Sequence, residues 1–267
     1  MIISHRFCSD GLVAAAIILR KYPDAECVFL NPGDPPPNVI DKEVYIVDFS
    51  FKRDVLLDMK SKAKSLLVLD HHKSAQKELA GLEEFCIFDM NRSGCGLAHD
   101  YFFPDEHRHW ITNYTETKDL WRFDLPYSYE INAVLQSRPL TFESLYELEN
   151  KVVEDLLEEG KILLMNQQFL VQSLAKNAYV VEVCGHKIYC CNSPVYRSEL
   201  GHLLAQDMPF AIVYYINSDG NKICSLRSAE DGFDVSEIAF KMANGGGGHF
   251  HSAGAKITKE NSLYTII

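Results

Sequence analysis

Asp70-His71-His72 follows directly on the apolar run Ser65-Leu66-Leu67-Val68-Leu69, so a carboxylate and two imidazoles leave a buried strand together. Three polar groups at such a place carry a high desolvation penalty unless something binds them, and their oxygen and nitrogen donors point to a metal ion. Near the other end of the chain, Gly245-Gly246-Gly247-Gly248 precedes His249. Backbone N–H groups without side chains can approach an anion closely, and the imidazole adds a donor. The same run also fits a flexible loop. Metal at one end and phosphate at the other predict phosphoryl chemistry in a cleft between them.

Further residues of the same chemistry sit at comparable places: His5 and Asp10 around the end of a first apolar stretch, Asp48 after Val44-Tyr45-Ile46-Val47, and Asp119 in Lys118-Asp119-Leu120-Trp121-Arg122-Phe123. A mixed carboxylate and imidazole set suits Mn²⁺, Fe²⁺, Co²⁺ or Zn²⁺, whereas an all-oxygen set suits Mg²⁺ or Ca²⁺. With several carboxylates one can bridge two ions roughly 3.5 to 4 Å apart, an arrangement that activates water and stabilises the leaving oxygen of a phosphate ester. Asp48 is the expected bridge. Taken singly, an Asp at a strand end also reads as a helix cap, and a lone His as a surface or core residue. Arg227, in Ser225-Leu226-Arg227-Ser228, adds a donor for an anion, while Trp121 and Phe123 read as core.

The elements that must position these residues follow from the apolar pattern. Over the first half, short apolar runs at residues 2–3, 27–30, 44–47 and 66–69 alternate with helical patterns at 12–22 and 52–62, the signature of parallel βα units. Asp10, Asp48 and Asp70 then fall where strands stop, and in open parallel sheets sites form beyond the carboxyl ends of strands. Residues 141–177 turn helical and acidic, with a linker near Lys176. Strand-like segments return at 179–183, 187–191, 210–216 and 222–227, with helices at 199–205 and 235–242. The net charge of −11 over 267 residues excludes a protein that tracks long nucleic acid on a basic stripe. Eight cysteines without a Cys-x-x-Cys pair read as reduced thiols of a cytoplasmic protein, and no apolar run approaches the roughly 20 residues that span a bilayer.

In order along the chain, the segments His5 to Gly11, Asp48-Phe49-Ser50-Phe51, Asp70-His71-His72, Ser93-Gly94-Cys95-Gly96-Leu97, Asp119 to Phe123 and Gly246 to Gly254 resemble the motifs of the DHH phosphoesterase superfamily, in the nanoRNase and RecJ-like group with a carboxy-terminal DHHA1 domain. The last is similar to Gly-Gly-Gly-His-x-x-Ala-Ala-Gly, with Ser252 for the first Ala. The resemblance implies an α/β protein with a parallel-sheet DHH domain over residues 1–150, a helical linker over 151–177 and a smaller α/β DHHA1 domain over 178–267, the active site lying in the interdomain cleft. It implies a pair of Mn²⁺ ions, with Mg²⁺, Co²⁺ or Zn²⁺ as alternatives, held by His5, Asp10, Asp48, His71 and Asp119. Asp48 and His72 become the catalytic pair, and Arg227, Gly246, Gly247, Gly248 and His249 hold the substrate.

One departure stands out: where the common motif is His-x-x-x-Asp-x-Asp, this chain has His5-Arg6-Phe7-Cys8-Ser9-Asp10, with Cys8 in place of the first Asp and the spacing shortened by one. Cys8 is either a soft ligand or a neutral neighbour; the nitrogen and oxygen donors around it favour the neighbour. The function expected is hydrolysis of short oligonucleotides to mononucleotides by metal-activated water. The rivals are a phosphatase or phosphodiesterase of a small nucleotide, such as a cyclic dinucleotide or 3′-phosphoadenylate, and a non-catalytic nucleotide-binding protein.

Overall fold

A computed structural model describes residues 1–229, 232–243 and 246–267. Contacts divide the chain into two compact units, Met1–Leu164 and Met165–Ile267. The first contains β1 (Ile2–His5), α1 (Ser9–Lys21), β2 (Cys27–Leu30), β3 (Glu43–Val47), α2 (Arg53–Lys62), β4 (Ser65–Asp70), α3 (Lys73–Glu78), β5 (Cys86–Phe88), α4 (Gly94–Phe102), α5 (Trp110–Asp119), α6 (Ser128–Ser137) and α7 (Phe142–Glu149). The division falls within α8 (Leu157–Ala175).

All five strands of the first unit are parallel, in the order β2-β1-β3-β4-β5. Both faces of such a sheet are covered, which is why its strands read as near-continuous apolar runs. On one face α1, buried from Asp10 to Ile18, packs with α4 and α5; on the other Leu56 and Met59 of α2 meet Ile3, Ile46 and Val68. Leu145, Leu148 and Leu156, from the stretch that the sequence reads as helical and acidic, lie in the first of these cores. From β1 the chain runs to β2 on one side and later to β3 on the other, so the carboxyl ends of β1 and β3 form the switch point at which open α/β sheets place their sites.

The second unit carries β6 (Tyr179–Val183), β7 (His186–Asn192), α9 (Arg197–Leu204), β8 (Ala211–Ile216), β9 (Lys222–Arg227), α10 (Val235–Met242), β10 (Gly247–Gly248) and β11 (Ser252–Ile257). Among the described residues six strands run β10-β11-β9-β8-β7-β6, with β7 and β8 the parallel pair in an otherwise antiparallel sheet. Val235, Ile238 and Met242 of α10 cover one face and Leu200 and Leu204 of α9 the other. Both units are α/β, as expected from the sequence. Among the described residues no helix is long and apolar enough to cross a membrane.

Candidate active site

Strand ends and one helix end bring the acidic residues of the first unit together. His5 closes β1, Asp48 follows β3, and Asp70 closes β4 ahead of His71 and His72. Asp10, Asp48, Asp70 and His71 are each at most 1% exposed. Asp48 holds a left-handed backbone, φ 51°, a strained conformation that collects at functional sites. Asp119 is the last residue of α5, where the helix dipole disfavours an anion; a local rule is broken there to place a carboxylate.

At the centre lies Nε2 of His71. It is 3.1 Å from Asp48 Oδ1, 3.5 Å from Asp119 Oδ2 and 3.6 Å from Asp10 Oδ2. Asp10 is gripped by the first turn of α4: Gly94 N–H donates to Oδ2 at 2.5 Å and Cys95 N–H to Oδ1 at 2.9 Å. That turn is capped by Ser93, whose hydroxyl accepts from Gly96 N–H, and Ser93 N–H donates to Glu116, itself paired with Arg108. Asp70 does different work. Its Oδ1 accepts from the His71 and His72 amides and lies 2.7 Å from His72 Nδ1, while its Oδ2 takes the Ser50 hydroxyl at 2.5 Å. With both oxygens occupied, Asp70 orients His72.

Three donor sets in this unit close to within 4.8 Å: His5, Cys8 and Asp48; Asp10, Asp48 and His71; Asp48, Asp70 and His72. Asp48 belongs to each. Among the described residues Oδ2 of Asp48 and Oδ2 of Asp119 are buried and find no hydrogen-bond donor. A buried carboxylate oxygen without a partner is a strong destabilising element unless a cation meets it. Imidazole nitrogen, several carboxylates and such orphaned oxygens fit divalent metal.

Without metal, a proton does part of the same work. Burial alone would drive His71 toward its neutral form, but Asp119, Asp48 and Asp10 outweigh it and lift the imidazole to about 10. Burial, with Asp48 and Asp119 adding repulsion, raises Asp10 to about 8. Burial pushes Asp48 the same way, yet the hydrogen bond and charge of His71 hold it well below the carboxylate range. Burial and the surrounding carboxylates likewise push the Cys8 thiol well up.

His71 and Asp10 therefore bind protons more tightly in the folded than in the unfolded chain. The stability they contribute is complete below their ordinary values of 6.5 and 3.8 and is lost as pH rises toward about 10 and about 8. Metal competes for the same positions, so its affinity rises as those protons leave. The expected result is a metal-free protein whose melting temperature falls by several degrees between about pH 7 and about pH 9, and a metal-induced gain that is larger at the higher pH. Thermal scans at both values with and without divalent metal check it; a metal-free melting temperature that climbs over this range contradicts it.

In the second unit Arg227 ends β9, its guanidinium donating to Ser198 Oγ at 2.7 Å and to Leu226 O at 2.8 Å. The glycine run departs from the open anion cradle expected of it. Gly245 lies outside the described residues; Gly246 N–H donates to Ala243 O, and His249 N–H to Ser252 O at 2.7 Å, across the hairpin that pairs β10 with β11. Gly246 is small because a Cβ there would lie 2.2 Å from Ala239 O, and Gly248 because its φ is +143°. The amide of Gly246 is thus spent at the end of α10 and that of His249 within the hairpin. Trp121 and Phe123, expected in the core, are instead half-buried in left-handed backbone. Phe123 stacks on the exposed Tyr129 with ring centroids 4.2 Å apart.

Comparison with known proteins bears on what this arrangement is. The DHHA1 domain family matches residues 197–267. The oligoribonuclease NrnB of Bacillus subtilis is 36% identical over 118 residues, 44% of this chain and 26% of that protein. The chain is a DHH/DHHA1 superfamily protein. The uncharacterized protein R106 of Acanthamoeba polyphaga mimivirus is 29% identical to this DHH/DHHA1 protein over 95% of its length. The chain spans 66% of R106 and about a quarter of NrnB. Two solved structures share its fold over 99% of the chain: the pGpG-specific phosphodiesterase PggH from Vibrio cholerae, TM-score 0.52, 14% identity, 95% of that chain covered; and RecJ with Mn²⁺ from Thermus thermophilus, TM-score 0.54, 14% identity, 50% covered. The superfamily comprises metal-dependent phosphoesterases.

Proposed function

We propose that this DHH/DHHA1 protein is a Mn²⁺-dependent phosphodiesterase of the cytoplasm that hydrolyses short oligonucleotides to mononucleotides. The observation that carries the reading is the convergence of Asp10, Asp48 and Asp119 on His71 Nε2 at the sheet's switch point, with two buried carboxylate oxygens left for a cation. His5, Asp10, Asp48, His71 and Asp119 would hold the metal, Asp48 being the donor common to both ions. When bound, the ions supply Lewis acidity at the phosphate and a water of lowered pKa. His72, oriented through Nδ1 by Asp70, would carry a proton at a phosphate oxygen. Arg227, the Gly247–Gly248 backbone and the His249 imidazole bind the remaining phosphate or terminal nucleotide. In this reading residues 1–150 form the catalytic domain, 151–177 the helical connection and 178–267 the substrate domain. The cytoplasmic assignment rests on the eight free thiols.

Support for a short substrate comes from the net charge of −11, which offers no extended basic track, and from NrnB being named an oligoribonuclease. The test is a substrate panel with Mn²⁺. Substrates of roughly two to five nucleotides should be cleaved better than a strand of about 30, with a shallow salt dependence. Preferential cleavage of the long strand with a steep salt slope would overturn the short-substrate reading. Hydrolysis confined to a cyclic dinucleotide or 3′-phosphoadenylate would move it to the small-nucleotide alternative. No hydrolysis, even of bis-p-nitrophenyl phosphate, would leave a nucleotide-binding protein.

A further inference from the structure

We propose that Cys8 supplies a sulfur donor to the metal centre, closing a His5–Cys8–Asp48 site that prefers a softer ion than the all nitrogen and oxygen set at Asp10, Asp48 and His71. The proposal rests on the metal-bearing reading of the cluster and extends it to a residue that the sequence treats as a neutral neighbour.

The donor atoms of His5, Cys8 and Asp48 all lie within 4.8 Å of one another, a spread compatible with one ion bound at about 2.0 to 2.3 Å from each. A half-buried cysteine alone would not make a site. The independent observation is Asp48: the side chain is buried at 1% exposure, and its Oδ2 has no donor among the described residues. Cys8 is the residue that caps α1, a place where Ser, Thr, Asp or Asn would bond the helix amides; its side chain makes no such cap. The preceding residue, Phe7, takes a left-handed φ of 59° and leaves its ring 82% exposed. So strained a turn on a helix without a side-chain cap is unfavourable on local grounds alone.

Binding replaces the S–H bond by a sulfur–metal bond, the thiol proton going to solvent and no electron changing hands. Thiolate favours Zn²⁺, Co²⁺ or Fe²⁺ over Mn²⁺ and Mg²⁺. The two positions around Asp48 would then be unequal, one soft and one hard, and oxidation of Cys8 would empty the soft one.

The decisive probe is Co²⁺ added to the metal-free, full-length protein. Cobalt bound to thiolate gives a near-ultraviolet charge-transfer band that nitrogen and oxygen ligands do not. The parent protein should show the band at one equivalent per chain. Cys8→Ser should lose it and bind that equivalent roughly a hundredfold more weakly, while melting no lower without metal, because serine is the better helix cap. Cys8→Asp should restore two equivalents without the band and shift the preference toward Mn²⁺. Full cobalt loading of the parent without a band, a band that survives in Cys8→Ser, or failure to bind cobalt would each overturn the proposal. None of these readouts uses substrate. A band in a protein that hydrolyses nothing would sustain the sulfur donor while ending the phosphodiesterase reading, and turnover without a band would do the reverse.

Discussion

Asp48→Asn is expected to lower turnover by roughly a thousandfold or more, about 4 kcal/mol of transition-state stabilisation, while lowering the melting temperature of the metal-free protein by only a few degrees. The two effects part because the carboxylate is present for metal rather than for the fold. Asn tolerates the left-handed backbone of position 48 nearly as well as Asp, so φ 51° adds no new strain, whereas Ala would. The amide oxygen can still accept from the protonated His71 at the Oδ1 position, 3.1 Å away. What disappears is the anion that pairs with protonated His71, a loss offset in part because Asp10 and Asp119 repel Asp48 in the folded state. These opposing effects leave the metal-free protein only modestly weaker, whereas the donor shared by every metal set of the first unit is lost. Elemental analysis, steady-state rates and a thermal scan of one preparation decide the matter. Parental turnover in a variant shown to lack metal would end the metal reading. A drop of many degrees without metal would make Asp48 a structural residue instead.

Much of this site was legible in the sequence because parallel strands buried on both faces are apolar throughout. A charged residue at the end of such a run is conspicuous, and Asp48 and the Asp70 triplet stood out for that reason; His5 and Asp10 fell beside the shorter first run. What escaped were properties of pairing across distance. That Asp10 is held by amides 84 and 85 residues away has no local signature. Ser93-Gly94-Cys95-Gly96 could be recognised by resemblance, but its work as a helix start aimed at Asp10 could not. Trp121 and Phe123 read as core by residue type, yet their left-handed backbone in a turn without glycine leaves them only half-buried. The strand Ser252–Ile257 opens with four small residues of little strand preference and exists because it pairs with Lys222–Arg227. Its hairpin in turn consumes the His249 amide, and the end of α10 the Gly246 amide, that the glycine run, read as sequence, offers to an anion.

Gly94→Ala is expected to lower turnover by roughly a hundredfold without altering any metal-binding side chain. Alanine is the better helix former by about 1 kcal/mol, so a purely local account predicts a gain in stability. Contacts reverse that expectation. A Cβ at position 94 would sit 2.5 Å from Asp48 Cβ, 2.8 Å from Asp10 Oδ2 and 3.0 Å from Asp48 Cα. Neither Asp48 atom is the far end of a flexible side chain, so the start of α4 must move away and carry with it the amides of Gly94 and Cys95. Asp10 then loses the two donors that fix its carboxylate, and a buried anion next to Asp48 and Asp119 is left poorly satisfied. Metal affinity measured by titration calorimetry should weaken along with turnover. Gly96→Ala provides the contrast, since its Cβ would strike Glu116 Oε2, the acceptor for Ser93 N–H, rather than a proposed metal donor. That variant should lose thermal stability in greater proportion than metal affinity. If Gly94→Ala instead binds metal and turns over like the parent, α4 does not hold Asp10 in the working protein, and the Ser93–Gly96 turn has some other task.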